Sequence, residues 1–210
     1  MNVSVIWITP DAERMVAHIA RVSNPANQDN PDYEKLLRYM IEHKHWSPLE
    51  MANACIEVNT TRDISRQILR HSALRPQEFS QRYAAVDALP PAELRECRIQ
   101  DTANRQNSFD VGPGPLADRW EILQHEVYDA AVERYKEALS IGIAKEQARA
   151  LLPEGLTPTR LYLNANLRGW IHYLQLRTDA ATQKEHRLIA QQIAELLRPE
   201  IPTILKAAGL

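Results

Sequence analysis

Cysteine is scarce in this chain, which has two among its 210 residues, Cys55 and Cys97. Two isolated thiols cannot build a disulfide framework or a metal site made of several cysteines. Cys55 lies in the apolar run 52–58, so we expect a buried thiol there. The sequence therefore predicts no metal site, and it favours a reducing, cytoplasmic setting.

Long apolar runs are also absent. No stretch approaches the about 20 residues that a helix needs to cross a bilayer. The short apolar run near the N-terminus lacks the basic flank of a secretory signal. The formal net charge of −2 gives no general attraction to nucleic acid or to an anionic membrane surface. The sequence therefore predicts no membrane association, and any basic site must be local.

The periodicity of the apolar residues indicates an α+β chain. Strands are predicted at 3–8 and at 54–58, where apolar and polar side chains alternate. Helices with an apolar stripe are predicted from residue 11, over 32–44, from residue 118, over 159–177 and around 188–197. With 44% hydrophobic residues the chain can bury one core, so we expect a single domain over residues 1–210.

Residues 84–117 differ in composition from the rest of the chain. They contain the pair Pro90 and Pro91 and, near two glycines, Pro113 and Pro115. A connection of this length in a compact domain is typically functional or disordered. We therefore predict a lid or an insertion at 84–117, with one short strand at 98–100.

The run 70–83 concentrates three arginines, a histidine, a glutamate and two serines in a short polar stretch. Arginine presents a planar fork of donors that fits phosphate or carboxylate, and several arginines together indicate more than one anionic group. A solvated, salt-bridged loop is the alternative for such a charge run. The spacing of its residues favours a binding site.

Two elements of this region are expected to converge on one ligand. Residues 61–70 are predicted to form a helix, on which Gln67, Arg70 and His71 share a face. Beyond Pro76, the side chains of Glu78, Ser80 and Arg82 would point to the same side of an extended segment.

This run resembles the signature of the flavin-dependent thymidylate synthases, which is Arg-His-Arg, seven residues, then Ser. The family usually adds a glutamate two positions before the serine, and arginine and tyrosine after it. The residues that fall on this pattern are Arg70, His71, Glu78, Ser80, Arg82 and Tyr83. Ser72 stands where the family has its second arginine, so a cation is missing there unless Arg75 or Arg66 replaces it.

Four further segments are similar to elements of the same family. They are 20–23, 45–50, 148–153 and 166–177. The resemblance therefore covers the chain from about residue 23 to residue 185. It implies the fold of that family, a central, mostly antiparallel sheet flanked by long helices in a single domain.

The resemblance also implies a reaction. The family transfers a methylene group from methylenetetrahydrofolate to the ring of dUMP and reduces it to a methyl group with a hydride from reduced FAD. NADPH then reloads the flavin. The implied cofactor is FAD, the implied co-substrates are NADPH and folate, and the implied assembly is a homotetramer whose active sites are shared between subunits.

Carried over residue by residue, the family's nucleotide site would comprise Gln67, Arg70, Glu78, Phe79, Ser80, Gln81, Arg82, Arg149 and Arg177. Arg82 and Arg149 would bind the phosphate. Arg177 would donate to a pyrimidine carbonyl oxygen, where negative charge develops as the ring is attacked. We interpret Ser80 as a hydrogen-bonding clamp, because the sequence identifies no base that would make it a nucleophile.

The family's flavin site would comprise Ser23, Ser47, Glu50, Arg70, His71, Ser72, Asn166, Arg168 and His172. The resemblance places His45 near the folate or flavin ring, which makes it a catalytic candidate with Arg177 and Ser80. The spacing within 159–177 complicates this assignment. At about 100° per residue, Asn166 and Arg177 superpose, whereas Arg168 and His172 lie on the opposite side of a straight helix. We expect the two faces to serve different ligands, or sites shared between subunits.

Two alternative functions remain open at this point. A pyrimidine nucleotide hydroxymethylase would use the same fold, with water instead of hydride capturing the methylene intermediate. A nucleic-acid-binding module could use Arg62, Arg66 and Arg70 as a basic stripe on one helix, although the acidic net charge and the lack of interleaved aromatic residues disfavour it.

Overall fold

The structure is a computed structural model and describes residues 2–210. The strands are β1 Asn2–Ile8, β2 Asn53–Thr61, β3 Arg75–Glu78, β4 Arg98–Gln100, β5 Ser108–Asp110 and β6 Pro158–Asn166. The helices are α1 Ala12–Ala20, α2 Glu34–Glu42, α3 Arg62–Ile68, α4 Pro115–Ser140, α5 Lys145–Ala148, α6 Leu167–Arg177, α7 Lys184–Leu197 and α8 Pro202–Ala207. The strands and helices confirm the predicted α+β class.

The main sheet has four antiparallel strands in the order β1-β2-β6-β3. In β2, Ala54, Ile56 and Val58 are buried and alternate with partly exposed residues, which is the period expected of a strand with one covered face. A second sheet pairs β4 with β5, with Ile99 opposite Phe109. The predicted strands at 3–8, 54–58 and 98–100 are confirmed.

The described residues fall into two compact units. The terminal unit comprises residues 2–58, 68–77 and 161–210, and the middle unit comprises 59–67 and 78–160. Strands β2 and β6 contribute residues to both units.

The core of the terminal unit forms around Trp170 of α6. This side chain is 1% exposed, and its indole Nε1 donates to the carbonyl of Ala54 in β2 at 3.0 Å. Helix α6 packs against α7, and α7 packs against β1. An indole buried with its one donor satisfied fixes both the position and the rotation of α6.

The middle unit is built around α4, a helix of 26 residues in which only Gln124 and Tyr135 are buried. Tyr135 packs with Val86 and Ala148. The Gln124 amide accepts from the backbone N of Arg95 at 2.7 Å and donates to the carbonyl of Arg95 at 2.9 Å. This pair of bonds ties the segment before β4 to the helix.

The helix predicted over 159–177 is wrong in its first half, which is strand β6. Leu161, Leu163 and Ala165 are buried and alternate with more exposed neighbours, a period of two rather than 3.6. The helix starts at Leu167 because the side chain of Asn166 accepts from the backbone N of Gly169 at 2.8 Å and caps it.

The extended segment predicted beyond Pro76 is shorter than expected. Strand β3 ends at Glu78, and the backbone N–H groups of Tyr83 and Ala84 both donate to the carbonyl of Ser80 at 3.1 Å. The chain therefore turns at Ser80, and Arg82 does not continue the alternation that Glu78 begins.

Candidate active site

The most unusual contact of the terminal unit joins Arg177 to His71. The Nε–H of Arg177 donates to Nε2 of His71 at 2.7 Å. Arginine has no acceptor atom, so Nε2 of His71 must be unprotonated. Arg177 is half-buried, and among residues 2–210 it has no carboxylate partner and no other hydrogen bond. Its terminal guanidinium nitrogens are therefore available to a ligand.

Local sequence explains how His71 reaches Arg177. Helix α3 ends at Ile68, and the turn that follows brings Ala73 against the first turn of α6. A Cβ on Gly169 would lie 3.2 Å from the Cβ of Ala73 and 3.3 Å from the Cβ of Ala165. The absence of a side chain at Gly169 therefore allows the close approach on which the position of His71 depends.

Two buried polar side chains lie behind His71. Tyr173 and His186 are each 0% exposed, and the hydroxyl of Tyr173 is 3.1 Å from Nε2 of His186. The rings of Tyr173 and His71 meet edge to face, with centroids 4.9 Å apart and planes at 82°. Burial raises the pKa of Tyr173, so its hydroxyl stays neutral.

The cluster formed by Arg177, His71, Tyr173 and His186 carries the positive charge of Arg177. Burial, and then the charge of Arg177, lower the pKa of His71 from 6.5 to about 4, with smaller contributions from His172 and Arg70. Burial and Arg177 lower the pKa of His186 to about 4 as well. Both imidazoles are therefore neutral at pH 7. The exposed Arg70 pairs with no carboxylate in the described part of the chain. Because its charge and that of Arg177 are not neutralised by a carboxylate, this region favours an electron-rich or anionic ligand.

The effect of His172 on the pKa of His71 bears on the expectation that the two faces of α6 serve different ligands. His172 acts on the pKa of His71, to which Arg177 also binds. Both α6 residues therefore act electrostatically on one imidazole, although their spacing along the helix places them on different faces. Arg168 points elsewhere and pairs with Glu50.

The remaining flavin candidates are accessible. Ser23, Ser47 and Ser72 are exposed, and His45 is exposed beside the ring of Tyr39, at a centroid distance of 5.7 Å. Nη1 of Arg75 donates to the backbone carbonyl of Ser72 at 2.7 Å. A guanidinium group therefore lies beside the backbone of Ser72, the residue that replaces the second arginine of the family's signature.

In the middle unit, Glu78 is held by protein groups. Its Oε1 accepts from the hydroxyls of Ser65 at 2.7 Å and Thr159 at 2.9 Å. Arg62 lies 3.7 Å from the same oxygen, and Arg66 lies 3.9 Å from Oε2. Only Oε2 could therefore serve a nucleotide without breaking these bonds.

The same contacts weigh against the nucleic-acid interpretation. Arg66 pairs with Glu154 at 2.9 Å and also faces Glu78. The side chain of Arg62 is 12% exposed and faces Glu78, and Arg70 lies beyond the end of α3. The three arginines do not form an open basic stripe.

The two predicted phosphate partners meet at one residue, Glu146. Nε of Arg82 pairs with its carboxylate at 3.0 Å, and Nε of Arg149 donates to its backbone carbonyl at 3.2 Å. Both arginines are exposed. An exposed guanidinium paired with an exposed carboxylate, as Arg82 is, can exchange that carboxylate for a phosphate.

The turn between these arginines and Glu78 holds the other nucleotide candidates. The Oγ of Ser80 accepts only from the backbone N of Arg82, at 3.4 Å, and no base among the described residues contacts it. Phe79 is half-buried, and its N–H donates to the carbonyl of Arg160 at 2.8 Å. Gln81 is 4% exposed and its Nε2 lacks an acceptor, while Gln67 is half-buried on α3.

Sequence reasoning missed Tyr173 and His186. Tyr173 precedes Arg177 by four residues on α6, so the two share a face, and this spacing was the available signal. Nothing in the sequence distinguishes His186 from the other histidines, because its contact with Tyr173 joins two helices.

Residues 2–210 were compared with the requirements of a clustered metal site and of a membrane-spanning helix. This range contains no group of three or more histidine, cysteine, aspartate or glutamate side chains placed to hold a metal ion. No helix within it is both long and apolar enough to cross a membrane.

Comparison with known proteins places these features in context. A model of the family described as thymidylate synthase complementing protein matches residues 4–203. The chain is 46% identical over 197 residues to a probable flavin-dependent thymidylate synthase of Paramecium bursaria Chlorella virus 1, covering 93% of this chain and 90% of that protein. It is 45% identical over 195 residues to the flavin-dependent thymidylate synthase of Synechocystis sp., with coverages of 93% and 88%.

A solved structure has a similar fold. The UMP/dUMP methylase PolB from Streptomyces cacaoi, bound with 5-Br dUMP, matches with a TM-score of 0.83 and 26% identity. The match covers 98% of this chain and 93% of that chain.

The two depressed histidine pKa values predict how stability depends on pH. An unfolded histidine titrates near 6.5, whereas His71 and His186 titrate at about 4 in the folded chain. The unfolded state therefore binds more protons between these values, and stability should fall as the pH drops from 7 to 5, by about 1–2 kcal/mol per histidine. Urea unfolding at the two pH values measures this loss. His186→Leu should remove roughly half of it, and an unchanged loss in that variant would contradict the assignment.

Proposed function

The chain belongs to the thymidylate synthase complementing protein family, and on that premise we propose that it methylates dUMP to dTMP as a flavin-dependent thymidylate synthase. The observation that carries the proposal is the half-buried guanidinium of Arg177, whose one acceptor among the described residues is a neutral imidazole. A buried cation without a carboxylate is costly, and a ligand that brings negative charge offsets that cost.

Arg177 meets the pyrimidine in this proposal. Attack on the pyrimidine ring places negative charge on a ring carbonyl oxygen, and a preorganised arginine stabilises the charge where it develops. His71 contributes by accepting from Nε, which leaves the two terminal nitrogens of Arg177 to face the substrate. The similarity to PolB supports this substrate, because that enzyme is a UMP/dUMP methylase and was solved with 5-Br dUMP bound.

Arg82 and Arg149 bind the phosphate of the nucleotide in this proposal. Both already contact Glu146, and the phosphate dianion replaces the carboxylate at Arg82. Ser80 and Glu78 hold the nucleotide with hydrogen bonds, and Gln67, Phe79, Gln81 and Arg70 complete the site. In an assembly with shared active sites, these side chains need not come from one copy of the chain.

The residues of the terminal unit fit a flavin. Arg70, Arg75 and Arg177 supply guanidinium groups without a carboxylate partner in residues 2–210, which suits the diphosphate of FAD and its electron-rich ring. The other members of the proposed flavin site are His71, His172, Ser72, Asn166, Ser23, Ser47, Glu50 and Arg168. When bound, the flavin supplies the hydride. Methylenetetrahydrofolate is the proposed carbon donor, held near His45, and NADPH is the proposed reductant.

We propose a homotetramer as the working assembly. Helix α4 exposes Trp120, Leu123 and Val127 at 37%, 37% and 54%, although these residues form the apolar stripe expected to face a core. Leu116 is exposed on the same side of the helix. Such a contiguous apolar face on one helix favours association with another copy.

Product analysis tests the activity. The purified protein is incubated with dUMP, methylenetetrahydrofolate, NADPH and FAD, and the nucleotide product is identified by mass spectrometry. We expect dTMP, and a flavin absorption band in the protein. A hydroxymethyl product, or a colourless protein that leaves dUMP unchanged, would overturn the proposal. A parallel reaction with UMP tests whether the ribonucleotide is also accepted.

Removing Arg177 should abolish most of the activity. For Arg177→Ala we expect kcat to fall about 10²–10³-fold, the usual effect of deleting one donor to a developing oxyanion. Arg14→Ala, which removes an exposed arginine paired with Asp11, is the matched control and should keep wild-type kcat. A loss below threefold for Arg177→Ala would contradict the assigned role.

A charge on the exposed face of α4 should dissociate the assembly. Sedimentation of Val127→Glu is expected to show smaller species than the wild type, because a buried carboxylate at an apolar contact is not solvated. Lys136→Glu places the same residue at an exposed polar position of α4 and should leave sedimentation unchanged. Equal sedimentation of Val127→Glu and wild type would show that this face is not the interface.

A further inference from the structure

The two nitrogens of His71 have different chemical environments. Nε2 accepts from Arg177 at 2.7 Å, so it carries no proton. Nδ1 has no hydrogen-bond partner in the described chain. Four side-chain atoms of the described residues lack both a partner and access to solvent, and Nδ1 of His71 is not one of them; they are Thr60 Oγ1, Gln81 Nε2, Tyr135 OH and Asn164 Oδ1. Nδ1 is therefore not completely sealed, although His71 as a whole is 9% exposed.

From this arrangement we propose that His71 is a neutral hydrogen-bond donor to a bound heterocycle through its Nδ1–H, and that Arg177 selects this tautomer. A neutral imidazole carries one proton, and Arg177 leaves Nδ1 as its only place. The group recognised is an acceptor atom of a planar heterocycle, a carbonyl oxygen or an unprotonated ring nitrogen. The inference rests on the proposed function, which supplies two such ligands, the flavin and the pyrimidine.

The surroundings keep His71 in this state. Arg177, His172 and Arg70 all oppose a second proton on the ring. Protonation at Nε2 would also direct an N–H at the N–H of Arg177. A low pKa of about 4 for His71 agrees with this geometry.

The ring of His71 is also held in orientation. Tyr173 meets it edge to face at 4.9 Å, and Tyr173 is itself fixed by its contact with the fully buried His186. A 180° flip of the ring would put Cε1 in the place of Nε2 and break the bond to Arg177. The direction of the Nδ1–H bond of His71 is therefore fixed.

This state excludes acid–base catalysis by His71. Nδ1 cannot accept a proton from the substrate because it already carries one, and losing that proton would create an imidazolate. His71 is therefore assigned to recognition and orientation, with proton transfer left to other groups.

The tautomer can be observed directly. Wild-type protein labelled with 15N in its seven histidines is studied at pH 7 by long-range 1H–15N NMR, and the signals of His71 are identified by their absence in His71→Gln. We expect a protonated Nδ1 and an unprotonated Nε2. Adding FAD or dUMP separately should shift Nδ1 in one of the two arms, and that arm identifies the ligand.

Two substitutions separate the functions of the two nitrogens. In His71→Gln the amide oxygen can replace Nε2 and keep Arg177 in place, but the donor is lost, so affinity for that ligand should fall about tenfold. In His71→Asn an amide nitrogen can replace Nδ1, so affinity should be largely kept while kcat falls, because Arg177 loses its acceptor.

Each outcome decides the proposal. An Nε2-protonated tautomer, a bound ligand that leaves Nδ1 unmoved, or unchanged affinity in His71→Gln would overturn it and leave the proposed function intact. Wild-type protein that binds neither FAD nor dUMP would overturn the proposed function as well.

Discussion

The candidate active site depends on one hydrogen bond between a charged donor and a neutral acceptor, from Arg177 to His71. A carboxylate in place of His71 would neutralise the guanidinium and reduce its attraction for a ligand. The imidazole orients Arg177 while leaving its charge uncompensated. The arrangement costs stability, because a half-buried cation and two neutral histidines share a small volume. In the proposed function the uncompensated charge of Arg177 attracts electron-rich groups.

Several features of the fold serve this bond. Gly169 permits the turn after α3 to touch α6, and Asn166 sets the first turn of that helix. Trp170 fixes the helix against β2. Because Arg177 is the last residue of α6, an error in the start or rotation of the helix would move its guanidinium away from His71.

Much of the fold was readable from the sequence. Alternation predicts β2, which the structure confirms. The polar signature predicts that Arg70 and His71 belong to a ligand site, and this stays a prediction. The helix predicted over 159–177 includes strand β6 because helix α6 follows that strand directly. The apolar period of two in the strand passes into the period of 3.6 in the helix at Asn166 with no turn residues between them. The turn at Ser80 and the contact between Tyr173 and His186 were unreadable for a different reason, since both depend on tertiary packing. The effect of Ser72 on flavin binding also depends on tertiary structure, because the structure places the guanidinium of Arg75 beside the backbone of Ser72.

The central claim is that Arg177, oriented by His71, binds the pyrimidine. A crystal structure of the chain with FAD and dUMP tests it most directly. The account predicts that Nε of Arg177 keeps its bond to Nε2 of His71 and that a terminal nitrogen of Arg177 lies about 2.7–3.2 Å from a pyrimidine carbonyl oxygen. An Arg177 turned away from the nucleotide, or paired with a carboxylate of another copy, would contradict it.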